Sequence, residues 1–191
     1  MHSAYRRAFA ALAMAGCLIL ANGCHQSDAH AASKAADELA PADPCRLLTT
    51  ADVGTVFAGA KAGVPERTRE KYGITACQWD TPGGRLVLQL WEGEPNSTEN
   101  EIRGLVTGVI DPLKPSAQQS IRYERVNVGT PAMVVVERAN AQAGILNDCA
   151  LLVTQRGEQV VVLFSTGLAQ RDRATAIRAL SSLAERAVGR L

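Results

Sequence analysis

Five cysteines, and histidines confined to the first thirty residues, set what chemistry this 191-residue chain can do. A cysteine serves as nucleophile, disulfide partner or metal ligand according to its surroundings. Cys24 follows Leu20-Ala21-Asn22-Gly23, a run that places small residues just before the thiol. Its thiol is a nucleophile able to take a diacylglyceryl group, and Ala21 and Gly23 are small enough for a peptidase cleft. Cys45, Cys77 and Cys149 lie further along. His2, His25 and His30 all precede them, which removes Ser-His-Asp and Cys-His arrangements and imidazole zinc sites from the rest of the chain. Paired acids remain as a route to glycosidase-like acid–base chemistry, with Glu92 and Glu94 or Glu99 and Glu101 as the candidates. These fall in loops or at a helix start, where acids are ordinarily solvated or face the helix dipole. Gly83-Gly84 is read as a hairpin turn, because neither a helix start nor a lysine follows it. The expectation is a protein without catalytic residues, cofactor or metal.

The segment that must present Cys24 is a leader. Met1–Arg7 carries Arg6 and Arg7 and no acid, and Ala8–Ala21 is an apolar run too short to span a membrane comfortably. Residues 20–24 resemble a lipobox, with Ala21 where Leu is usual and with an unusual Asn22. Two alternatives stand beside it: Met14-Ala15-Gly16-Cys17, with a shorter apolar run, and ordinary cleavage near Ala29-His30-Ala31, which leaves a soluble periplasmic protein. Acylation at Cys24 would anchor the chain stably, since two or more acyl chains hold where one is marginal. His25 is not the Asp that retains lipoproteins at the inner membrane, so in a Gram-negative host the outer membrane, facing the periplasm, is expected.

Residues 24–43 hold no large apolar residue except Leu39 and read as a flexible tether with an r.m.s. span of about 25 Å. Residues 44–191 then form one domain, large enough to bury about two-thirds of its unfolded surface. Loss of Arg6 and Arg7 with residues 1–23 takes 20 basic residues to 18, against 19 acidic. A near-neutral chain lacks the basic footprint of a nucleic-acid binder. Arg171, Arg173, Arg178, Arg186 and Arg190 are diluted by Asp172 and Glu185 and read as a solvated helix face.

Periodicity supplies the elements. Thr49 is a helix N-cap with Asp52 three residues later, Val53, Val56 and Phe57 share a face, and Gly59 ends the helix. Ile74–Asp80 and Arg85–Glu92 form a hairpin that pairs Asp80 with Arg85, Trp79 with Leu86 and Cys77 with Leu88. Leu90 joins that core face, while Gln78, Gln89 and Trp91 take the other. A helix over Asn96–Asp111 is stopped by Pro112 and Pro115. Strands follow at Ile121–Val128, Ala132–Arg138, Asn147–Gln155 and Gln159–Ser165, with Val153 opposite Val160 and Cys149 opposite Phe164. Asp172–Arg190 closes the chain as a helix with Ile177, Leu180, Ala184 and Ala187 inward. The order predicts an α+β fold, an antiparallel sheet with helices packed mainly on one face as a two-layer sandwich.

In an oxidising envelope, three cysteines in the domain imply one disulfide and one thiol left over. A Cys45–Cys77 bridge would close a loop of about 33 residues, and Cys77–Cys149 across the sheet is its rival. Spacing alone does not choose between them. Cys149, in an apolar strand, suits a buried small hydrophobe. Trp91 is the best single candidate for a contact surface, set against the commoner outcome of a Trp covered by a loop or helix.

Asp43-Pro44-Cys45-Arg46-Leu47-Leu48-Thr49, followed by Cys77-Gln78-Trp79, resembles the small cell-envelope lipoproteins of the domain-of-unknown-function 3558 type, abundant in actinobacteria. Val128-Gly129-Thr130-Pro131-Ala132 is similar to their Val-Gly-x-x-Ala strand start. The resemblance covers most of residues 43–165. It implies the same fold and the pairing of Cys45 with Cys77, and it implies no catalytic residue. The expected role is a lipid-anchored binding or accessory domain of the cell envelope, with an envelope protein or polymer as partner. An immunity or inhibitor lipoprotein acting on a periplasmic toxin or wall hydrolase is a more specific form of it, and a carboxylate-dependent envelope hydrolase is the contrary reading.

Overall fold

Asp43 and Thr49 start the first two helices of the computed structural model, which describes residues 42–191. The leader, Cys24 and the tether through Pro41 lie outside the described residues. Asp43 accepts a hydrogen bond from the Cys45 backbone N–H, and Pro44 takes the first helical position of α1, Pro44–Leu47. Thr49 and Asp52 form a reciprocal capping box at the start of α2, Thr50–Gly54. Val53 and Phe57 are buried, as the sequence predicts. The α-helix ends at Gly54 rather than Gly59, and turns carry the chain onward.

Seven antiparallel strands make one sheet, in the order β1-β2-β3-β7-β6-β5-β4. They are β1 Val64–Glu66, β2 Thr75–Thr81, β3 Gly84–Glu92, β4 Tyr123–Asn127, β5 Pro131–Glu137, β6 Cys149–Arg156 and β7 Gln159–Ser165. The β2–β3 register matches the prediction at Asp80↔Arg85, Trp79↔Leu86 and Cys77↔Leu88. The short β1 was not foreseen; its Pro65 marks it as an edge. At β6–β7 the expected pairing slips by two residues: Val153 lies opposite Val162, and Leu151 opposite Phe164. A tight hairpin needs two loop residues, here Gly157 at φ +61° and Glu158, so Arg156 pairs with Gln159. A slip of two keeps every side chain on its predicted face.

The first face of the sheet carries Cys77, Trp79, Leu86, Leu88, Leu90, Leu152 and Leu163 into a core with α1, α2 and the closing helix α5, Arg173–Gly189. Asp172 caps α5 by accepting from the Thr175 N–H, and Ile177, Leu180, Ala184 and Ala187 are buried as expected. The α+β class and the antiparallel sheet stand, but the two-layer picture is incomplete. Helices α3, Thr98–Val106, and α4, Ala117–Ser120, cover part of the second face with Ile102, Val106 and Ala117. Burial on both sides explains why β6 and β7 read as continuous apolar runs. The helix expected to reach Asp111 stops at Val106; Gly104 and Gly108 weaken its continuation.

Two links close the domain on itself. Cys45 and Cys77 form a disulfide joining α1 to β2, while Cys149 is free and buried. Asp52, 7 % exposed, accepts from the Thr49 N–H and hydroxyl, from Arg186 at 3.0 Å and from Arg190 at 2.6 Å. Arg190 also donates to the Leu47 carbonyl at 2.7 Å. Arg173 bonds the carbonyls of Val136 and Arg122. Arg171 bonds the Val56 carbonyl and lies over the Phe57 ring. Arg171, Arg173, Arg186 and Arg190 thus cross-link elements, which corrects their reading as a merely solvated face; Arg178 is exposed and bonds only Thr175 of its own helix.

The hydrogen bond from Arg190 holds the Asp52 carboxyl well below its ordinary range, against the opposing effect of burial; Thr49 and Arg186 add to it. A depressed native pKa contributes stability that is present above the unfolded value near 4 and lost as pH falls below it. Urea midpoints measured from pH 7 to pH 3 should fall, and Asp52→Asn should be less stable at pH 7 with a flatter profile. Replacing Cys45 and Cys77 together by serine should remove about 3–4 kcal/mol, read from the same denaturation curves.

Candidate functional site

Strand register places a mixed polar and apolar surface on the second face of the sheet. One row of opposed residues runs Gln78–Val87–Phe164–Leu151 across β2, β3, β7 and β6. The next runs Ala76–Gln89–Val162–Val153. Helix α3 packs on β5 and β6, so the rows nearer β2 and β3 are not roofed by it. The result is a groove of about 450 Å³, floored by Val87, Leu151, Val162 and Phe164. Leu105 and Val109, at and beyond the end of α3, form one wall. Glu66 and Arg69, from β1 and the loop after it, contribute the opposite side, and Arg85 lies beside the hairpin turn.

The polar groups in this groove are short of partners. Gln155 and Gln159 donate to the carbonyls of Glu94 and Trp91, whereas the side-chain amides of Gln78 and Gln89 bond no described residue. Gln89 is only 8 % exposed and lines the groove. Arg69 and Arg85 form no ion pair among the described residues, in contrast to Arg67, which pairs with Glu70, and Arg103, which pairs with Glu99. Glu66 accepts from the Thr68 hydroxyl. The sequence puts Gln78 and Gln89 on this face, yet alternation alone gave no sign of a groove. The missing signal was the early end of α3 at Val106.

Cys149 also lines the groove, but 1 % of its surface is exposed. Burial, with Glu137 nearby, pushes its thiol up to about 12. The thiolate is the reactive form, so this cysteine is a small apolar residue rather than a nucleophile. Among the described residues no three of His, Cys, Asp and Glu gather closely enough to hold a metal ion.

The other residues singled out from the sequence lie elsewhere. Trp91 shares the second face with Gln89; it is half-buried, packed against the second core and outside the groove lining. Glu92 and Glu94 are exposed. Glu99 pairs with Arg103 at 2.9 Å and Arg125 at 3.5 Å, and Arg103 chiefly holds its carboxyl below the usual range. Glu101 is half-buried near Gly93. Glu66 is the one acid among the groove's lining residues, so neither proposed carboxylate pair converges there. A second cleft, of about 400 Å³, surrounds the start of α5 and holds Arg122, Arg138, Arg171 and Arg173. Arg138 donates to the carbonyls of Ala169 and Gln170, so most of that charge is engaged within the fold.

The Cys149 thiol should be silent to a thiol-reactive chromophore at pH 8 in the native protein. It should give one equivalent of reaction in denaturant without reductant, once Cys17 and Cys24 are removed or blocked.

Compared with protein-family models, curated proteins and solved structures, the chain matches none.

Proposed function

We propose that this chain is a lipid-anchored, non-enzymatic binding domain of the cell envelope, held at the outer membrane through Cys24 and facing the periplasm. The observation that carries the reading is the groove on the second sheet face. There two glutamine amides and two arginines have no side-chain partner among the described residues while lining a groove with an apolar floor. Ligand sites combine these features: a concave apolar surface with a few polar groups free to fix orientation. The Cys45–Cys77 disulfide suits an oxidising compartment. The likeness of Pro44–Thr49 and Cys77–Trp79 to envelope lipoproteins of the domain-of-unknown-function type supports the same address. A tether ending in lipid would keep the domain near its partners and raise their effective concentration.

Two measurements test it. Mass spectrometry of the mature chain should find it beginning at acylated Cys24, and Cys24→Ser should leave the membrane fraction. A chain that begins after Ala31 with no acyl mass refutes the anchor. Captured from envelope extracts, the native protein should retain a component that Gln78→Trp, a groove-filling variant with unchanged near-UV circular dichroism, does not. Equal recovery by both refutes the groove as the binding site.

A further inference from the structure

Resting on the reading of the groove as a binding site, we infer that its ligand is a small amphipathic monoanion: an apolar body carrying one carboxylate or comparable oxyanion. Three observations converge on this class. The floor of Val87, Leu151, Val162 and Phe164 is contributed by three adjacent strands and offers no hydrogen-bonding side chain, so it suits a hydrocarbon or ring body. Arg69 and Arg85 outnumber Glu66, and neither arginine is paired among the described residues. A guanidinium with free donors recognises a planar oxyanion in a two-pronged geometry. The Gln78 and Gln89 amides border the floor in register: Gln78 is opposite Val87 on β2, and Gln89 is two residues beyond Val87 on β3, opposite Val162 and on the side away from Arg85. They can bond the polar end of a ligand whose apolar end lies on the floor.

Size separates this class from a polymer. A volume of about 450 Å³ falls in the range of small-molecule sites and is small for a folded partner, whose interface would be broad and flatter. Charge separates it from a neutral apolar molecule, which would leave both exposed guanidiniums without a partner among the described residues. Arg85 stands nearest the hairpin turn and pairs across to Asp80 only through the backbone register, which leaves its guanidinium free for the anionic group.

The test uses the acylated or Cys24→Ser full chain and three probes: decanoate, 1-decanol and acetate. Titration calorimetry should show decanoate bound, 1-decanol bound at least tenfold more weakly and acetate not bound. Arg85→Gln should weaken decanoate about tenfold, the scale of one charge-assisted hydrogen bond, and leave 1-decanol unchanged. NMR shifts should localise to the Val87 and Val162 methyls and the Gln78 and Gln89 side-chain amides. Equal affinity for decanoate and 1-decanol overturns the anionic class, as does an Arg85→Gln variant that binds decanoate normally. If no probe binds but Gln78→Trp still abolishes capture from envelope extracts, the ligand class is wrong and the binding site stands. If no probe binds and capture is also unaffected, both fall.

Discussion

The constraint on which this structure depends is the strict alternation of side chains along its central strands, pinned by two hairpins. With Asp80 opposite Arg85, β3 sends Leu86, Leu88 and Leu90 to one face and Val87 and Gln89 to the other. With Arg156 opposite Gln159, β6 and β7 divide in the same way. A slip of one residue in either hairpin would exchange the two faces, burying glutamines under α5 and exposing leucines. Everything else is arranged on this partition. The first face is large and apolar and accepts the 17-residue closing helix together with α1 and α2. The second is apolar only where α3 and α4 cover it, and mixed where they do not.

The ends of the domain are secured by charge at the surface of the first layer. Asp52 caps its own helix through Thr49 and receives two arginines from the final turns of α5. One carboxylate therefore does two jobs: it satisfies a helix N-terminus, and through Arg186 and Arg190 it anchors the end of α5. Arg156 adds a donor to the Val188 carbonyl, so the C-terminal end of α5 is capped from the sheet. With the disulfide at the other end of α1, the N-terminal helices are held from two directions.

Much of this was legible from sequence wherever a local rule decided the outcome. The Thr49–Asp52 capping box, the β2–β3 register and the inward stripe of α5 depend on a few neighbouring residues and came out as read. What escaped were features set by tertiary context. The edge strand β1 is three residues with a proline and has no periodicity to detect. Helix α3 stops before its apolar pattern does: Gly104 and Gly108 weaken its continuation, while Val109 and Ile110 still pack on the second core from the turns beyond it. The groove follows from that early stop and so could not be read along the chain. Arg186 and Arg190 looked like solvated charge, since their partners Leu47 and Asp52 lie more than a hundred residues away.

The same partition settles a matter of chemical fidelity. Three thiols in one domain allow three pairings, and an oxidising environment does not by itself select among them. Cys77 belongs to the core of one sheet face and Cys149 to that of the other. A bond between them would have to pass through the hydrogen-bonded backbone of β3 and β7. The folded sheet is thus an insulator between thiols. Once β2 and β6 have joined it, Cys45 is the one partner among the described residues left to Cys77, and a chain bridged from Cys77 to Cys149 is one that has not yet built its sheet.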